Sequence, residues 1–387
     1  MGPFPPQCKK GHRKMIMRRG GIFAMSLATL STVAVTNAYA AAPTQLPSCT
    51  PTSFSSTPSS STLSANTQVT NIGNEGGKIY TYAIGEQTYS IPQPPPGFRP
   101  KSASDETLEA YGFPPRPSDP ESLQLWEKMV SAYKSSAPPI ACKGPTPPIP
   151  NAEPVFHGKR VTNLNWSGIE DAAPNNPAQW AGVTGRFTQA NGTAHQSCKS
   201  NAIVSSWTGL GGDPGLAGNS ALLQSGTDAY ASGGYDAWEE WISSEGYANG
   251  VYVPLTVRPG DLIEEGTLYG TAYGHPAESV YFYNTNITTG EQFIGILSGM
   301  GPKYYDGSST EFIDERPSGN TGYYPLLNFG SIPWSWGLSL TSNGYWNEMG
   351  VPNHYRDTMA NGGGTLLAEP GLMESGHSFT DHYYHCQ

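Results

Sequence analysis

The chain has 387 residues, with 46 glycines and 35 prolines, and 13% of its residues are charged. Glycine and proline at this abundance exclude a helical bundle, because both residues break helix interiors. The formal net charge of −10 argues against a nucleic-acid partner, since binding phosphates requires clustered lysine and arginine. The 22 tyrosines and 9 tryptophans predict instead a folded core rich in aromatic residues.

Residues 1–40 have the charge and hydropathy pattern of a secretory signal peptide. Basic side chains, ending with Arg18 and Arg19, precede an uncharged stretch over residues 20–35, and small residues follow it. The stretch is short for a membrane span. We therefore predict a secreted or periplasmic protein that has no membrane association after cleavage. The start codon stays open among three methionines, Met15, Met17 and Met25.

Residues 41–157 differ in composition from the rest of the chain and predict a propeptide or a tether. Runs rich in proline, serine and threonine favour extended backbone and do not build a core. Between the runs, acidic first turns and apolar spacing predict short helices over residues 104–111 and 120–133. A propeptide would be removed at low pH between residues 137 and 159, close to the basic pair Lys159 and Arg160.

Residues 158–387 change to short β-branched and aromatic runs that are broken by glycine, asparagine, aspartate and proline. These runs predict strands over residues 180–188, 202–207, 235–243, 251–257, 279–283, 293–297 and 337–341. Many short strands without helical crossovers indicate an antiparallel sandwich or barrel. From residue 161 onward 22 acidic and 6 basic residues occur, a balance that suits an acidic medium.

Four cysteines remain after removal of the leader: Cys49, Cys142, Cys198 and Cys386. An even number in an oxidising compartment predicts disulfides, and four cysteines allow three pairings, which the sequence leaves open. Metal-binding spacings such as CxxC or HExxH do not occur. Cys386 lies beside His382 and His385, and without further ligands we expect this end of the chain at the surface.

The chemistry must come from carboxylates and amides, because other hydrolytic signatures do not occur. The sequence contains no G-x-S-x-G nucleophile elbow and no D-[ST]-G aspartic-protease signature. If residues 235–241 form a strand, alternation places Asp236, Trp238 and Glu240 on one face and Trp241 on the other. Such a face suits a substrate wall, but spacing alone favours an ordinary polar surface.

Five motifs resemble those of the glutamic peptidases, the eqolisins, in the same order and spacing. They are NWSG from Asn165, SWTG from Ser206, LQSGTD from Leu223, AWEEW from Ala237 and TEFIDERP from Thr310. The ending SGHSFTDHY from Ser375 is similar to the last strand of that family. The resemblance implies an all-β fold of two antiparallel sheets, a jelly-roll β-sandwich, over residues 158–387, preceded by the proline-rich extension.

The resemblance also implies the activity and the site. The enzyme would be a pepstatin-insensitive acid endopeptidase that acts on polypeptides and needs no cofactor. Separately from the resemblance we expect a monomer, although the sequence leaves the oligomeric state open. Its catalytic pair would be Gln224 and Glu311. Further residues would line the substrate cleft, namely Trp166, Trp207, Asp228, Trp238 and Glu240. The family pattern is not matched everywhere, since Phe312 replaces a tryptophan and Gly211 stands where many relatives have aspartate.

A glutamine and a glutamate can together hydrolyse a peptide bond. Glutamate has an ordinary pKa of about 4.3, so near that pH it can take a proton from water and return it to the leaving amine. The glutamine amide does not titrate and can stabilise the oxyanion at any acidic pH. We therefore expect an acidic optimum and a loss of activity as the pH rises well above the pKa of the glutamate.

Two other function classes stay open. A β-sandwich glycoside hydrolase would need two carboxyls about 5–5.5 Å apart for a retaining mechanism. Glu311 and Glu315 share a strand face, but their spacing of about 13 Å is too long, which leaves Glu311 with Glu240 across strands. A carbohydrate-binding module would use the aromatic face without hydrolysis.

Overall fold

The computed structural model describes residues 44–45, 68–72, 76–143, 155–157, 160–173, 179–196, 198–213, 221–270, 278–319, 322–350, 354–374 and 377–387. The predicted signal peptide and Cys49 lie outside these residues. Two α-helices and 25 strands are described. No helix among the described residues has the length and hydropathy to span a membrane.

The N-terminal elements precede residue 144. They are β1 (Thr44–Gln45), β2 (Gln68–Ile72), β3 (Gly77–Ile84), β4 (Gln87–Gln93), a 3₁₀ helix (Pro100–Ser102), α1 (Asp105–Ala110), α2 (Pro120–Ser131), β5 (Ser135–Ser136) and β6 (Cys142–Lys143). Both predicted helices are present. Ser104 caps α1 by accepting a hydrogen bond from the Thr107 amide, and Asp119 caps α2 in the same way through Ser122.

The remaining strands follow residue 143, and all of them except one separate two-stranded pair belong to the sandwich. The first of them are β7 (Val155–His157), β8 (Arg160–Asn163), β9 (Trp166–Ala172), β10 (Trp180–Thr188), β11 (Ile203–Gly211), β12 (Leu222–Tyr230), β13 (Tyr235–Ile242), β14 (Ala248–Val253), β15 (Leu262–Tyr269), β16 (Ser279–Asn286) and β17 (Glu291–Ser298). A 3₁₀ helix (Pro302–Tyr304) separates these from the rest. The others are β18 (Ser309–Glu315), β19 (Ser318–Gly319), β20 (Gly322–Tyr323), β21 (Ser331–Thr341), β22 (Trp346–Glu348), β23 (His354–Ala360), β24 (Leu366–Pro370) and β25 (Phe379–Tyr383).

The fold is an antiparallel β-sandwich, as predicted. One layer has the strand order β14–β13–β12–β11–β18–β9–β23. The other has the order β4–β17–β16–β15–β10–β21. The strands β24 and β25 connect β23 to β21, so the two layers are continuous at one end.

The main core lies between the layers and contains large aromatic side chains. Trp241 of β13 packs against Phe282 of β16 with ring centroids 6.4 Å apart. Trp334 stacks on Phe379 at 5.8 Å, and both side chains are at most 1% exposed. Trp241, which alternation places on the opposite face from Trp238, is therefore a core residue.

The N-terminal elements add to the second layer. Strand β4 pairs with β17, so β3 and β4 extend this sheet at its edge. Residues of α1, α2 and their connection form a second apolar cluster on the other side of the layer, against Leu268, Tyr281, Tyr283, Ile294 and Leu340. Residues 76–143 therefore contribute to the packed interior, contrary to the expectation that proline-rich composition keeps them out of a core.

Two local predictions need correction. The strand predicted over residues 251–257 ends at Val253, because Pro254 has no amide hydrogen with which to continue the ladder. Cys386 is 8% exposed and forms a disulfide with Cys198, so it is a buried cross-link and not a free surface residue.

Candidate active site

The strand register brings Gln224 and Glu311 to the two sides of one residue. Gly209 of the central strand β11 stands opposite Gln224 of β12 and opposite Glu311 of β18. Directly paired residues point to the same face of a sheet, so both side chains rise over Gly209. Two strand spacings put their backbones about 10 Å apart, a gap that two long side chains can share with a small molecule.

Gly209 leaves the room in which the two side chains meet. A Cβ atom at this position would lie 2.7 Å from Oε2 of Glu311 and 2.6 Å from Cζ3 of Trp207. Neither approach is possible for real atoms. The glycine thus allows the Glu311 carboxyl to lean over β11 toward Gln224.

Glu311, Gly209 and Gln224 form a row of directly paired residues across the strands, which we call the site row. The next residue in this row, Glu240 of β13, orients Gln224. Glu240 stands opposite Gln224 in the register, and Nε2 of Gln224 donates a hydrogen bond to its Oε2 at 2.5 Å. The amide nitrogen carries two hydrogens, so one stays available. Oε1 of Gln224 is buried without a hydrogen-bond partner among the described residues. Burial raises the pKa of Glu240 to about 7.

Glu311 is fully buried, and its surroundings are acidic. Burial raises its pKa well above the ordinary value, and the negative charges of Asp306, Asp213 and Asp357 act in the same direction. Neither of its carboxylate oxygens has a hydrogen-bond partner among the described residues. The ordinary pKa assumed from the sequence is therefore too low for this group.

The sequence reasoning missed three acidic neighbours of Glu311. Glu170 of β9 stands directly opposite it, while Asp213 follows β11 and Asp357 lies on β23. All three are at most 2% exposed. For Glu170 a signal existed, because alternation from Trp166 along a strand puts residue 170 on the same face. The other two come from distant segments.

The aromatic residues predicted for the cleft lie on this face: Trp207 and Trp238 are one register step from Gly209 and its partners, and Trp166 is two steps away. Trp207 stands opposite Gly226 of β12, which in turn stands opposite Trp238 of β13. Trp166 packs edge-on against Trp207, with ring centroids 5.1 Å apart. Trp166 and Trp238 are partly exposed, whereas Trp207 is fully buried beneath them. Trp166 and Trp238 are thus placed to touch a substrate, and Trp207 supports Trp166.

Asp228 and Glu315 hold these indoles in place. Oδ1 of Asp228 accepts hydrogen bonds from Nε1 of Trp238 at 2.9 Å and from the Ser205 hydroxyl at 2.6 Å. Oε2 of Glu315 accepts from Nε1 of Trp207 at 2.9 Å. Asp228 is 9% exposed, so in this structure its role is to fix Trp238.

The two departures from the family pattern have different consequences. Phe312 points to the core side of β18, where it is fully buried against Trp334, so it does not form part of the site face. Gly211 has a φ of +82°, and a Cβ there would lie 3.0 Å from Oδ1 of Asp306. Asp306 thus brings a carboxyl close to the position where relatives carry aspartate.

Among the described residues, no group of three or more His, Cys, Asp or Glu is arranged to hold a metal ion. The site face therefore offers acids, an amide and indoles. These groups can move protons, donate hydrogen bonds and stack on a ligand.

The model of the Peptidase A4 family matches residues 164–370, a span that includes every residue of the site row. The chain belongs to the Peptidase A4 family. The resemblance to the glutamic peptidases, which the five sequence motifs indicated, is thereby confirmed.

Individual relatives of this family are more distant. Scytalidopepsin B from Scytalidium lignicola is 27% identical over 179 residues, which cover 43% of this chain and 65% of that protein. The chain thus spans slightly less than two thirds of the length of this curated relative. Scytalido-glutamic peptidase with a transition state analog inhibitor has 19% identity and a TM-score of 0.46, covering 57% of this chain and 98% of its own. Aspergilloglutamic peptidase from Aspergillus niger has 25% identity and a TM-score of 0.39, covering 47% and 99%.

The row geometry also bears on the glycoside-hydrolase alternative. Glu240 and Glu311 are separated by Gln224 and Gly209, which puts their backbones three strand spacings apart, about 14 Å. Retaining pairs need about 5–5.5 Å and inverting pairs about 6.5–9.5 Å. The backbone spacing exceeds both values, so only side chains that lean toward each other over Gln224 and Gly209 would bring the two carboxyls to either distance.

Proposed function

We propose that this protein is a secreted acid endopeptidase that hydrolyses peptide bonds with Gln224 and Glu311, and that pepstatin does not inhibit it. The observation that carries the proposal is the row Glu240–Gln224–Gly209–Glu311, in which an amide and a carboxyl face each other over a residue without a side chain. Membership of the Peptidase A4 family supports the reaction class.

The two side chains divide the chemistry between them. The Glu311 carboxylate takes a proton from a water molecule above Gly209, and the water oxygen attacks the carbonyl carbon of the substrate. The free amide hydrogen of Gln224 donates to the carbonyl oxygen as it becomes an oxyanion. The protonated Glu311 then gives its proton to the leaving nitrogen, and the peptide bond breaks. Glu311 is thereby returned to its starting charge.

Glu240 is the residue that keeps Gln224 in the productive orientation. It accepts one amide hydrogen of Gln224 and so directs the other toward the space above Gly209. Trp166 and Trp238 border that space and would stack on the substrate backbone or side chains, with Trp207 and Asp228 holding them in place. An extended polypeptide across the strands would contact all of these groups.

The acidic surroundings define the pH range. Glu311 acts as a base only when it is ionised. Because burial raises its pKa, Glu311 ionises at a higher pH than a free glutamate does. As the pH approaches neutrality, further buried carboxyls of this face ionise, and their negative charge beside the reacting atoms disfavours an oxyanion. We therefore expect the activity to be greatest above the ordinary glutamate pKa of about 4.3 and below about 7.

The test is hydrolysis of a denatured protein from about pH 2 to 7 with pepstatin present. The wild type should cleave at acidic pH, and Glu311→Gln should reduce the rate by about 10³-fold or more. Glu348→Gln is the matched control, because Glu348 is a surface glutamate whose side chain is 62% exposed. Absence of cleavage by the wild type, or an active Glu311→Gln variant, would overturn the proposal.

A further inference from the structure

Glu170 stands directly opposite Glu311 on β9, outside all five of the family motifs. Directly opposed residues on neighbouring antiparallel strands have Cβ atoms about 4.5–5.5 Å apart, so the two side chains start side by side, and the negative charge of Glu311 acts on Glu170. Glu170 is 1% exposed and Glu311 is fully buried. Oε1 of Glu170 has no hydrogen-bond partner among the described residues.

The elements around Glu170 bring further acids. Asp213 forms a carboxyl–carboxyl hydrogen bond with Glu170, and Asp357 approaches it from β23. Tyr355, which is also on β23, stands directly opposite Glu170. No ion pair among the described residues includes Glu170, Glu311 or Asp357. Buried carboxyls this close cannot all ionise, so some of them must keep a proton.

The electrostatics indicate which of the pair keeps its proton. Burial raises the pKa of Glu170 well above the ordinary value, and the charges of Asp213, Asp357 and Glu311 raise it further. A charged Glu311 thus makes ionisation of Glu170 harder. The repulsion is reciprocal, so the neighbours of each carboxyl decide the order. Glu311 faces the amide of Gln224, which can donate to a carboxylate, whereas the acids near Glu170 offer no such neutral donor. The first ionisation therefore belongs to Glu311 in the proposal below.

We propose, on the basis of the proposed function above, that Glu170 is a positioning residue that stays protonated beside the ionised Glu311, and that its own ionisation ends the active pH range. A neutral Glu170 leaves one negative charge at the pair. When Glu170 ionises, a second charge appears next to the reacting atoms and opposes the growing oxyanion over Gly209.

The experiment measures kcat/KM of the full chain on one peptide from about pH 3 to 8. Glu170→Gln keeps a neutral hydrogen-bonding side chain at every pH. Its alkaline midpoint should move up by about one pH unit or more, with the acidic limb unchanged and the optimal rate within about tenfold of wild type. Glu170→Leu replaces the buried acid by an apolar side chain and should move the alkaline midpoint in the same direction.

Asp236→Asn is the matched control. Asp236 is also a buried acid on this face, with a pKa raised by burial to about 7, but it lies on β13, three strands away from Glu311. Its loss should not move either limb. Tryptophan fluorescence at each pH separates inactivation by unfolding from titration of the site.

Unchanged alkaline midpoints in both Glu170 variants, whether their rates fall or not, would overturn this inference while leaving the Gln224–Glu311 proposal intact. Failure of the proposed function would look different, because Glu311→Gln would then stay active.

A second inference rests on independent contacts, those between residues 76–143 and the sandwich. Tyr82, Ile84, Tyr89 and Ile91 are at most 4% exposed and belong to the main core. The Tyr89 hydroxyl donates a 2.6 Å hydrogen bond to Oε2 of Glu239, the core-side neighbour of Glu240. Removing this segment would open the core and leave Glu239 without that partner.

The sandwich is in turn shaped to receive the segment. A Cβ at Gly295 of β17 would lie 2.1 Å from Oε2 of Glu239 and 2.4 Å from the Tyr89 hydroxyl, so the glycine makes room for their hydrogen bond. The Tyr283 hydroxyl donates to the Gly112 carbonyl at 2.9 Å, and the Ala137 amide donates to the Gln292 carbonyl at 2.7 Å. The contacts thus extend along the whole segment.

We infer that residues 76–143 stay bound as part of the working enzyme, even if the chain is cut after residue 143. The test introduces a specific protease site within residues 144–154 of the full chain, followed by cleavage and native size-exclusion chromatography. The N-terminal piece should co-elute with the sandwich. Tyr89→Phe should lower the urea concentration at which the two pieces separate, and Gly295→Ala should lower it further.

The Cys198–Cys386 disulfide lies wholly on the C-terminal side of the cut, so it does not tether the pieces. Release of the N-terminal piece under native conditions, from a sandwich that stays folded, would overturn this inference.

Discussion

Gln224 and Glu311 stand opposite the same residue, Gly209, on the two strands that flank β11. The central strand acts as a spacer of fixed width, and the missing side chain at Gly209 creates the volume above it. The distance between the acid and the amide is therefore set by the hydrogen-bonded ladder and not by a flexible loop. Sites built on strands in this way hold their groups precisely.

Gly209→Ala should remove this volume while preserving both functional groups. The added Cβ would lie 2.7 Å from Oε2 of Glu311, so the carboxyl must move away. We expect kcat to fall by about 10²-fold or more, because small misplacements of catalytic groups cost about that much. Gly250→Ala is the control, since its Cβ would meet its nearest neighbour, the Glu239 carbonyl oxygen, at 3.4 Å. Equal losses in both variants would contradict the spacer role.

Glu240 should act through the orientation of Gln224. Glu240→Leu removes the acceptor of the 2.5 Å hydrogen bond, so the amide is free to rotate. We expect kcat to fall by about tenfold to 100-fold with a smaller change in KM, whereas Glu240→Gln keeps an acceptor oxygen and should lose less. Steady-state kinetics on one peptide at the optimal pH give this comparison. A larger loss in Glu240→Gln than in Glu240→Leu would argue against an orienting role.

Stability should be highest in acid and fall toward neutral pH. Burial raises the pKa of Glu239 to about 8, of Glu315 to about 8 and of Asp314 to about 7. The folded state therefore binds protons more tightly than the unfolded chain. This contribution is fully present below the unfolded carboxyl pKa of about 4 and is lost as the pH rises through 7 to 8.

Urea unfolding at pH 4, 6 and 8 measures this loss. The free energy of unfolding should fall by several kcal/mol between pH 4 and pH 8, at roughly 1.4 kcal/mol for each unit of pKa shift, and Glu239→Gln should flatten the curve. A free energy of unfolding that rises between pH 4 and 8 would contradict the protonated state of these buried acids.

The Cys198–Cys386 disulfide joins residues 188 positions apart and should stabilise the sandwich by restricting the unfolded chain. Cys198→Ser should lower the free energy of unfolding by about 2–5 kcal/mol. Thermal unfolding of the variant, with and without reductant, gives the measurement. If reductant lowers the Tm of the variant as much as that of the wild type, another bond accounts for the effect.

Some of the site could be predicted from residue patterns alone. Alternation along β13 correctly placed Asp236, Trp238 and Glu240 on one face and Trp241 on the other, which the structure shows to be the core side. The pairing of Gln224 and Glu311 over Gly209 depends on register between strands that are nearly 90 residues apart. No local pattern reports such a register, so only the family resemblance brought the two residues together.

The packing of the N-terminal segment was missed because proline-rich runs dominated its composition. The hairpin of β3 and β4 carries the signal of a half-buried ribbon, with Tyr82 and Ile84 alternating along one strand and Tyr89 and Ile91 along the other. The sequence shows this alternation but not its destination, because the edge strand β17 that receives the hairpin lies 200 residues later.

The most direct test of the account is a double-mutant cycle on the Gln224–Glu311 pair. The rates of hydrolysis of one peptide at the acidic optimum are compared for wild type, Gln224→Ala, Glu311→Gln and the double variant. If both side chains act on one water and one carbonyl, each single change removes most of the rate and the double variant is no slower than Glu311→Gln. Losses that multiply, or a single variant with near wild-type activity, would contradict a shared site over Gly209.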